Sequence, residues 1–171
     1  RGWRAWPFQQ EAWDAYSAGR SGLIQVATGA GKTYGAYLGP LAELIDEGVR
    51  AGSSRKPGRV EGLRILYITP LRAVSRDIEL ALKAPVRELG LKITIESRTG
   101  DTSTSVRARQ RERLPNVLIT TPESFSLLLT RENAAEQLAG VRAVIVDEWH
   151  ELLSTKRGVQ TELCLARLRA F

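Results

Sequence analysis

The chain has 171 residues, a formal net charge of +6 and a sequence pI near 9.9. Its 43% hydrophobic and 26% charged residues suit one globular domain spanning 1–171, with no apolar run of bilayer length, so no membrane role is expected. The single Cys164 excludes an internal disulfide framework or cysteine metal cluster and suits a cytoplasmic location, while the basic balance favours a polyanionic partner. No methionine is present and no secretory pattern opens the chain, so a piece of a longer protein is expected.

In chain order, an aromatic opening carrying Pro7-Phe8-Gln9-Gln10 leads into a helix predicted from about Gln9 to Ala18, broken at Gly19 and Gly22. Leu23–Ala27 reads as a buried strand. It runs into Val26-Ala27-Thr28-Gly29-Ala30-Gly31-Lys32-Thr33, and a helix is predicted from Lys32 to about Glu47. A glycine-rich strand-to-helix turn ending in Gly-Lys-Thr is the recipe for holding a polyphosphate. Small residues let backbone N–H groups close around phosphate oxygens, and the helix start adds partial positive charge. Lys32 is then placed to reach the β- and γ-phosphates, and the Thr33 hydroxyl to sit on Mg²⁺. The strict eight-residue phosphate-loop pattern wants glycine where this chain has Val26.

Gly48–Gly62 reads as a solvated loop whose basic residues include Arg50, Arg55, Lys56 and Arg59. Further strands are predicted at Leu63–Thr69, Lys92–Ser97, Val117–Thr121 and Val141–Val146. Helices are predicted at Leu71–Leu89 (interrupted by Pro85), Thr104–Arg113, from Pro122 onward, and Gly158–Arg169. The arginines 107, 109, 111 and 113 alternate along one helix, so only part of them can face one partner; a solvated face is expected.

Strands alternating with helices predict an α/β chain with a mostly parallel sheet covered on both faces. Right-handed crossovers put every strand's C-terminal end along one edge, where ligands bind. The segments arriving there are the Gly-Lys-Thr turn, Thr69-Pro70-Leu71-Arg72, Arg98-Thr99-Gly100-Asp101, Thr121-Pro122-Glu123 and Asp147-Glu148-Trp149-His150. Asp147 can hold Mg²⁺, and Glu148 is placed to orient and deprotonate an attacking water.

These motifs, in this order over essentially the whole chain, resemble the first RecA-like domain of a superfamily 2 DEXH-box helicase. Ile68–Ala73, Arg98–Thr102, Thr120–Ser124, Asp147–Leu152 and Lys156-Arg157-Gly158-Val159-Gln160 more narrowly resemble the Lhr family, in its branch of ligase-associated helicases. The resemblance implies a P-loop NTPase with a RecA-like three-layer sandwich, using ATP and Mg²⁺ to move 3′ to 5′ on single-stranded DNA in DNA repair. It implies that Gln9 reads adenine, with Trp3 or Trp6 as stacking candidates, and that Thr28, Gly29, Ala30, Gly31, Lys32 and Thr33 hold the nucleotide. Lys32, Asp147, Glu148 and His150 are the implied catalytic set, with His150 passing on the state of the γ-phosphate. Pro70, Leu71, Arg72, Arg98, Thr99, Gly100, Asp101, Thr121 and Pro122 are the implied strand track, which suits sequence-independent phosphate contact.

A second RecA-like domain, with its arginine fingers, and a winged-helix segment are expected beyond Phe171. The piece in hand is therefore expected to hydrolyse ATP negligibly, an arginine finger being worth on the order of a thousandfold or more. Two alternatives stand beside this reading. One keeps the motor but assigns it to RNA, an RNA–DNA hybrid or a restriction system. The other is a nucleic-acid-binding module that no longer hydrolyses ATP, against which the intact Lys32, Thr33, Asp147 and Glu148 argue.

Overall fold

The computed structural model describes residues 4–51 and 60–171, apart from the side chains of Ala51 and Arg72. It divides into two compact units, Arg1–Gly58 and Arg59–Phe171.

The first unit is built on two helices, α1 (Pro7–Ser17) and α2 (Lys32–Ala51). Pro7 opens α1, where its missing N–H is no loss. Gln9, in the same turn, reaches back to accept the Trp6 N–H at 3.0 Å. Polar links tie α1 to α2: Trp13 Nε1 donates to the Tyr34 carbonyl at 3.2 Å, and the Tyr16 hydroxyl bonds Glu43. α2 continues past Pro40 and beyond the predicted end at Glu47, so Gly48–Ala51 is helix rather than loop. The remainder of that basic loop, with Arg55, Lys56 and Arg59, lies outside the described residues, as does Trp3.

The strand predicted at Leu23–Ala27 is corrected: residues 21–27 carry no strand. A strand exists through its ladder, and apolar composition alone supplies none. Ile24 and Val26 are half-buried while Leu23, Gln25 and Ala27 are exposed, the alternation of an extended chain covered on one side.

The second unit carries a four-stranded sheet, β1 (Ile65–Ile68), β2 (Ile95–Arg98), β3 (Val117–Thr120) and β4 (Ala143–Val146), in the order β2-β3-β1-β4. All three pairings are parallel. Between the strands come α3 (Ser75–Glu88), preceded by a 3₁₀ turn at Arg72–Val74, then α4 (Thr104–Glu112), α5 (Pro122–Leu129) and α6 (Ala134–Leu138). α7 (Trp149–Leu152) and α8 (Lys156–Arg169) follow β4. The four expected strands of this unit are present, and Pro85 lies inside α3 without ending it. The short α6 and α7 were not predicted, because four or five residues carry too little periodicity to read.

Alternation along the strands sorts the core onto two faces. Leu66, Ile68 and Leu118 pack with Phe125, Leu128 and Leu129 of α5, Leu138 of α6 and Cys164 of α8. Ile65, Tyr67, Val117 and Ile119 point the other way, where α3 packs on β2 and β3 and buries Ile78, Leu82 and Val86. The unit is therefore a helix–sheet–helix sandwich, with buried runs on its central strands as parallel sheets require.

Asn116 fastens the N-terminal edge of this sheet. Its amide donates to the carbonyls of Val60 (2.9 Å) and Gly62 (3.0 Å), while its oxygen accepts the Thr94 N–H and hydroxyl, both at 3.0 Å. Asn116→Ala removes all four bonds at a site only 4% exposed. It should cost about 3 kcal/mol, read as a lowered urea midpoint at unchanged slope. An unchanged midpoint would mean water replaces the amide.

Candidate functional site: the phosphate-loop turn and the sheet edge

In the first unit, two glycines with left-handed backbone shape the turn before α2: Gly29 at φ 81° and Gly31 at φ 89°. Gly31 is fixed twice over, since a Cβ there would also stand 2.8 Å from Gln9 Nε2. α2 starts at Lys32, its first turn closed by the Gly35 N–H on the Gly31 carbonyl at 3.0 Å. The opening N–H groups of a helix have no intrahelical acceptor, so the turn presents donors where an anion would sit. Lys32 Nζ donates to the Val26 carbonyl at 3.1 Å, which places the ammonium across the turn. Val26 thus serves through its carbonyl, which needs no glycine at that position. Thr28 and Gly29 are exposed; Ala30, Gly31, Lys32 and Thr33 are half-buried.

Gln9 is brought to this turn. Its Nε2 donates to the Gly31 carbonyl at 3.0 Å, and it is 1% exposed. A solvent-facing helix-start glutamine is thereby excluded. Trp6, one stacking candidate, is 61% exposed.

In the second unit, register alone aligns the remaining candidates. Arg98 lies abreast of Thr120, Thr120 of Ile68, and Ile68 of Val146. The next residue of each strand therefore leaves the sheet side by side: Thr99, Thr121, Thr69 and Asp147. At about 4.8 Å per strand, that row spans roughly 15 Å. Thr69 N–H donates to the Thr120 carbonyl (2.9 Å) and Asp147 N–H to the Ile68 carbonyl (2.8 Å), which continues the ladder through the row.

Each threonine organises the turn that follows it. The Thr69 hydroxyl accepts the Leu71 N–H at 3.4 Å, with Pro70 buried and Leu71 exposed. The Thr99 hydroxyl accepts the Asp101 N–H at 3.3 Å, and the Thr99 N–H donates to Thr102 Oγ1 at 2.9 Å, which leaves Gly100 and Asp101 exposed. Thr121 caps α5 by accepting the Ser124 N–H at 3.4 Å, with Pro122 as the first helical residue. Arg72 stands at the head of the 3₁₀ turn.

At the far end of the row, Asp147 Oδ1 accepts the Glu148 N–H at 3.0 Å. Glu148 has left-handed backbone, φ 46° and ψ 47°, rare for a residue with a Cβ. That turn separates its carboxylate from that of Asp147 and starts α7. His150, with its side chain 69% exposed, lies between two carboxylates: Nδ1 is 3.4 Å from Glu148 Oε2 and Nε2 3.4 Å from Glu151 Oε1. Trp149 is half-buried.

The sequence reading passed over one link. Arg157 Nε and Nη2 grip Glu123 Oε1 and Oε2 at 2.5 and 3.2 Å, so the first turn of α8 holds the first turn of α5. Partial burial pushes the Glu123 carboxyl up, but hydrogen bonds from Arg157, its own backbone N–H and Thr121, with the Arg157 charge, together outweigh it and leave the group below its usual range. Both residues lie in the family-like segments Thr120–Ser124 and Lys156–Gln160, and nothing in their spacing tells that they pair.

A family model described as DEAD/DEAH box helicase matches residues 6–171. The Lhr helicase/probable uracil glycosylase of Mycolicibacterium smegmatis is 40% identical over 172 residues, covering 95% of this chain and 11% of its own length. The ATP-dependent helicase Lhr-Core of Methanocaldococcus jannaschii is 38% identical over 172 residues, covering 95% of this chain and 20% of its own. The chain thus spans between about a tenth and a fifth of these curated relatives. Among solved structures, Mycobacterium smegmatis helicase Lhr bound to ssDNA and AMP-PNP superposes with a TM-score of 0.81 at 38% identity, over 96% of this chain and 21% of that one. The DEAD-box helicase Mss116 bound to ssRNA and UDP-BeF, at 22% identity, shares the fold with a TM-score of 0.77 over 95% of this chain and 31% of its own. Among the described residues no helix is long and apolar enough to cross a membrane.

Proposed function

Since the chain belongs to the DEAD/DEAH box helicase family, we propose that it is the ATP-binding lobe of an Lhr-type motor that couples Mg-ATP hydrolysis to movement on single-stranded DNA, in cytoplasmic DNA repair. The observation that carries this is the row at the sheet edge, where three threonine-headed turns and the Asp147-Glu148 strand end leave the sheet abreast. Chemistry at one end of the row and strand contact along the rest would share one rigid scaffold.

In this reading the turn from Thr28 to Thr33 holds the triphosphate, with Lys32 on the β- and γ-phosphates. Gln9 reads adenine with the N–H and lone pair left beyond its bonds to Gly31 and Trp6. The Thr33 hydroxyl and the Asp147 carboxylate are each assigned to Mg²⁺, a hard cation that takes oxygen donors of these kinds. Held by these two oxygens, Mg²⁺ would supply neutralisation of the phosphate charge. Glu148 takes the proton of the attacking water, and His150, in contact with Glu148, relays the occupancy of the site. Pro70, Leu71, Arg72, Arg98, Thr99, Gly100, Asp101, Thr121 and Pro122 line the strand track. A second RecA-like domain and a winged-helix segment of the same protein complete the motor.

The test is ATP turnover of the full-length protein with single-stranded DNA or RNA of one length. Stimulation by DNA of at least about tenfold over RNA is expected, with loss of both basal and stimulated turnover in Lys32→Ala. Equal or stronger stimulation by RNA would move the assignment to an RNA motor, and undiminished turnover in Lys32→Ala would end it.

A further inference from the structure

The arginines of α4 divide in two. Arg109 pairs with Glu96 at 2.8 Å and Arg113 with Glu61 at 3.2 Å, so their charge is spent inside the protein. Arg107 and Arg111, one helical turn apart, are near enough to Arg98 for their charges to act on it, and Arg111 acts likewise on Arg131. Among the described residues, none of these four has a carboxylate partner.

The guanidiniums of Arg98, Arg107 and Arg131 are held by uncharged groups instead. The fully buried Gln110 accepts from Arg98 Nη1 through Oε1 and from Arg131 Nη1 through its backbone carbonyl, both at 3.3 Å. Gln137 Oε1 accepts from Arg131 Nη1 at 3.3 Å, while its Nε2 donates to the Arg111 carbonyl at 2.6 Å. Arg107 Nη2 donates to the carbonyls of Thr99 and Gly100 at 2.9 and 2.5 Å. Amide and carbonyl dipoles fix a guanidinium in place without cancelling its charge, as glutamate would. Two buried donors of the group, Arg107 Nε and Arg131 Nη2, have no acceptor among the described residues. Buried donors without partners are rare, and these two belong to guanidiniums whose hydrogen-bonding capacity the protein does not fill.

We infer that Arg98, Arg107, Arg111 and Arg131 form a phosphate-binding cleft that takes the sugar–phosphate backbone of a single-stranded nucleic acid onward from the Thr99-Gly100-Asp101 turn. The inference rests on the strand-track reading and extends it from the sheet edge on to α4. Burial, with the charges of Arg131, Arg107 and Arg111, brings the Arg98 pKa down to about 10. A bound phosphate would relieve that crowding. Guanidinium forks match phosphate oxygens and ignore bases, so the cleft would add affinity without sequence preference.

Arg111 is the residue to change, because it is exposed and its side chain anchors no turn. Arg113, on the same helix but paired with Glu61, is the matched control. Binding of oligothymidylate to the full-length protein is measured across a salt series, with melting curves to verify folding. Arg111→Gln should weaken binding roughly three- to tenfold near 0.1 M salt and make the slope of log K against log salt shallower by about 0.7, one phosphate contact. Arg111→Lys should recover most of the slope, and Arg113→Gln should leave it unchanged. Equal shifts for Arg111→Gln and Arg113→Gln would show only long-range charge and overturn the cleft. So would no shift in Arg111→Gln while the parent binds normally, a result that leaves the strand-track reading standing. A parent protein that fails to bind oligothymidylate removes that reading and the cleft with it.

Discussion

Replacing Glu148 with glutamine in the full-length protein should leave ATP binding intact and lower turnover at least about a hundredfold, the usual worth of a positioned general base. The expectation comes from the backbone. Left-handed backbone at a residue with a Cβ costs of order 1 kcal/mol, and such conformations persist where surrounding structure dictates them. Here the Asp147 carboxylate holds the Glu148 N–H, and α7 begins at the next residue. Asp147 is thus aimed forward from its strand while Glu148 is turned away. A metal-bound carboxylate is a poor base, so two acids with separate directions suit two separate tasks. Glutamine keeps the shape of Glu148 and its reach to His150 but cannot accept a proton. Fluorescent-nucleotide titration beside steady-state hydrolysis reads both halves of the prediction. Normal turnover in Glu148→Gln would sink the assignment of the base. Loss of nucleotide binding would instead make Glu148 a positioning residue.

How far the sequence reached depended on whether a feature was local. The Gly-Lys-Thr turn, Pro122 at a helix start, and the strands at β1, β2, β3 and β4 all follow from residues near one another in the chain, whereas α1, expected from Gln9, begins at Pro7. Parallel topology then aligned Thr69, Thr99, Thr121 and Asp147, because one crossover rule orders every strand. Features resting on distant partners stayed hidden. Leu23–Ala27 has the composition of a strand, yet ladder pairing is not written in composition. The grip of Arg157 on Glu123 joins residues more than thirty positions apart. The division of the α4 arginines turned on Glu61 and Glu96, which lie outside α4 on other segments. A helix wheel separates Arg107 and Arg111 from Arg109 and Arg113, but it cannot say which pair meets an acid.

Gly158→Ala should be the most destabilising single-methyl change in the second unit. Gly158 needs no unusual backbone; it needs an absence of side chain. A Cβ there would fall 2.0 Å from the Leu152 carbonyl oxygen and 2.9 Å from its carbon, both backbone atoms that cannot rotate aside. The Thr155 hydroxyl fixes the same contact, donating to the Leu152 carbonyl at 2.7 Å and accepting the Gly158 N–H at 3.1 Å. The end of α7 and the start of α8 are therefore clamped at van der Waals distance or closer. Relief requires α7 to back away, and α7 begins beside Glu148. Overpacking of this kind costs about 3 kcal/mol, roughly 12 °C in melting temperature for a unit of this size. Val159→Ala, one residue on at a position 57% exposed, should move melting by less than about 2 °C. ATP turnover should fall in Gly158→Ala even at temperatures where the protein remains folded, since the clamp sets where Glu148 points. Stability retained with turnover intact would mean that residues 153–155 absorb the added methyl. The position of Glu148 would then depend on Asp147 and the strand end alone.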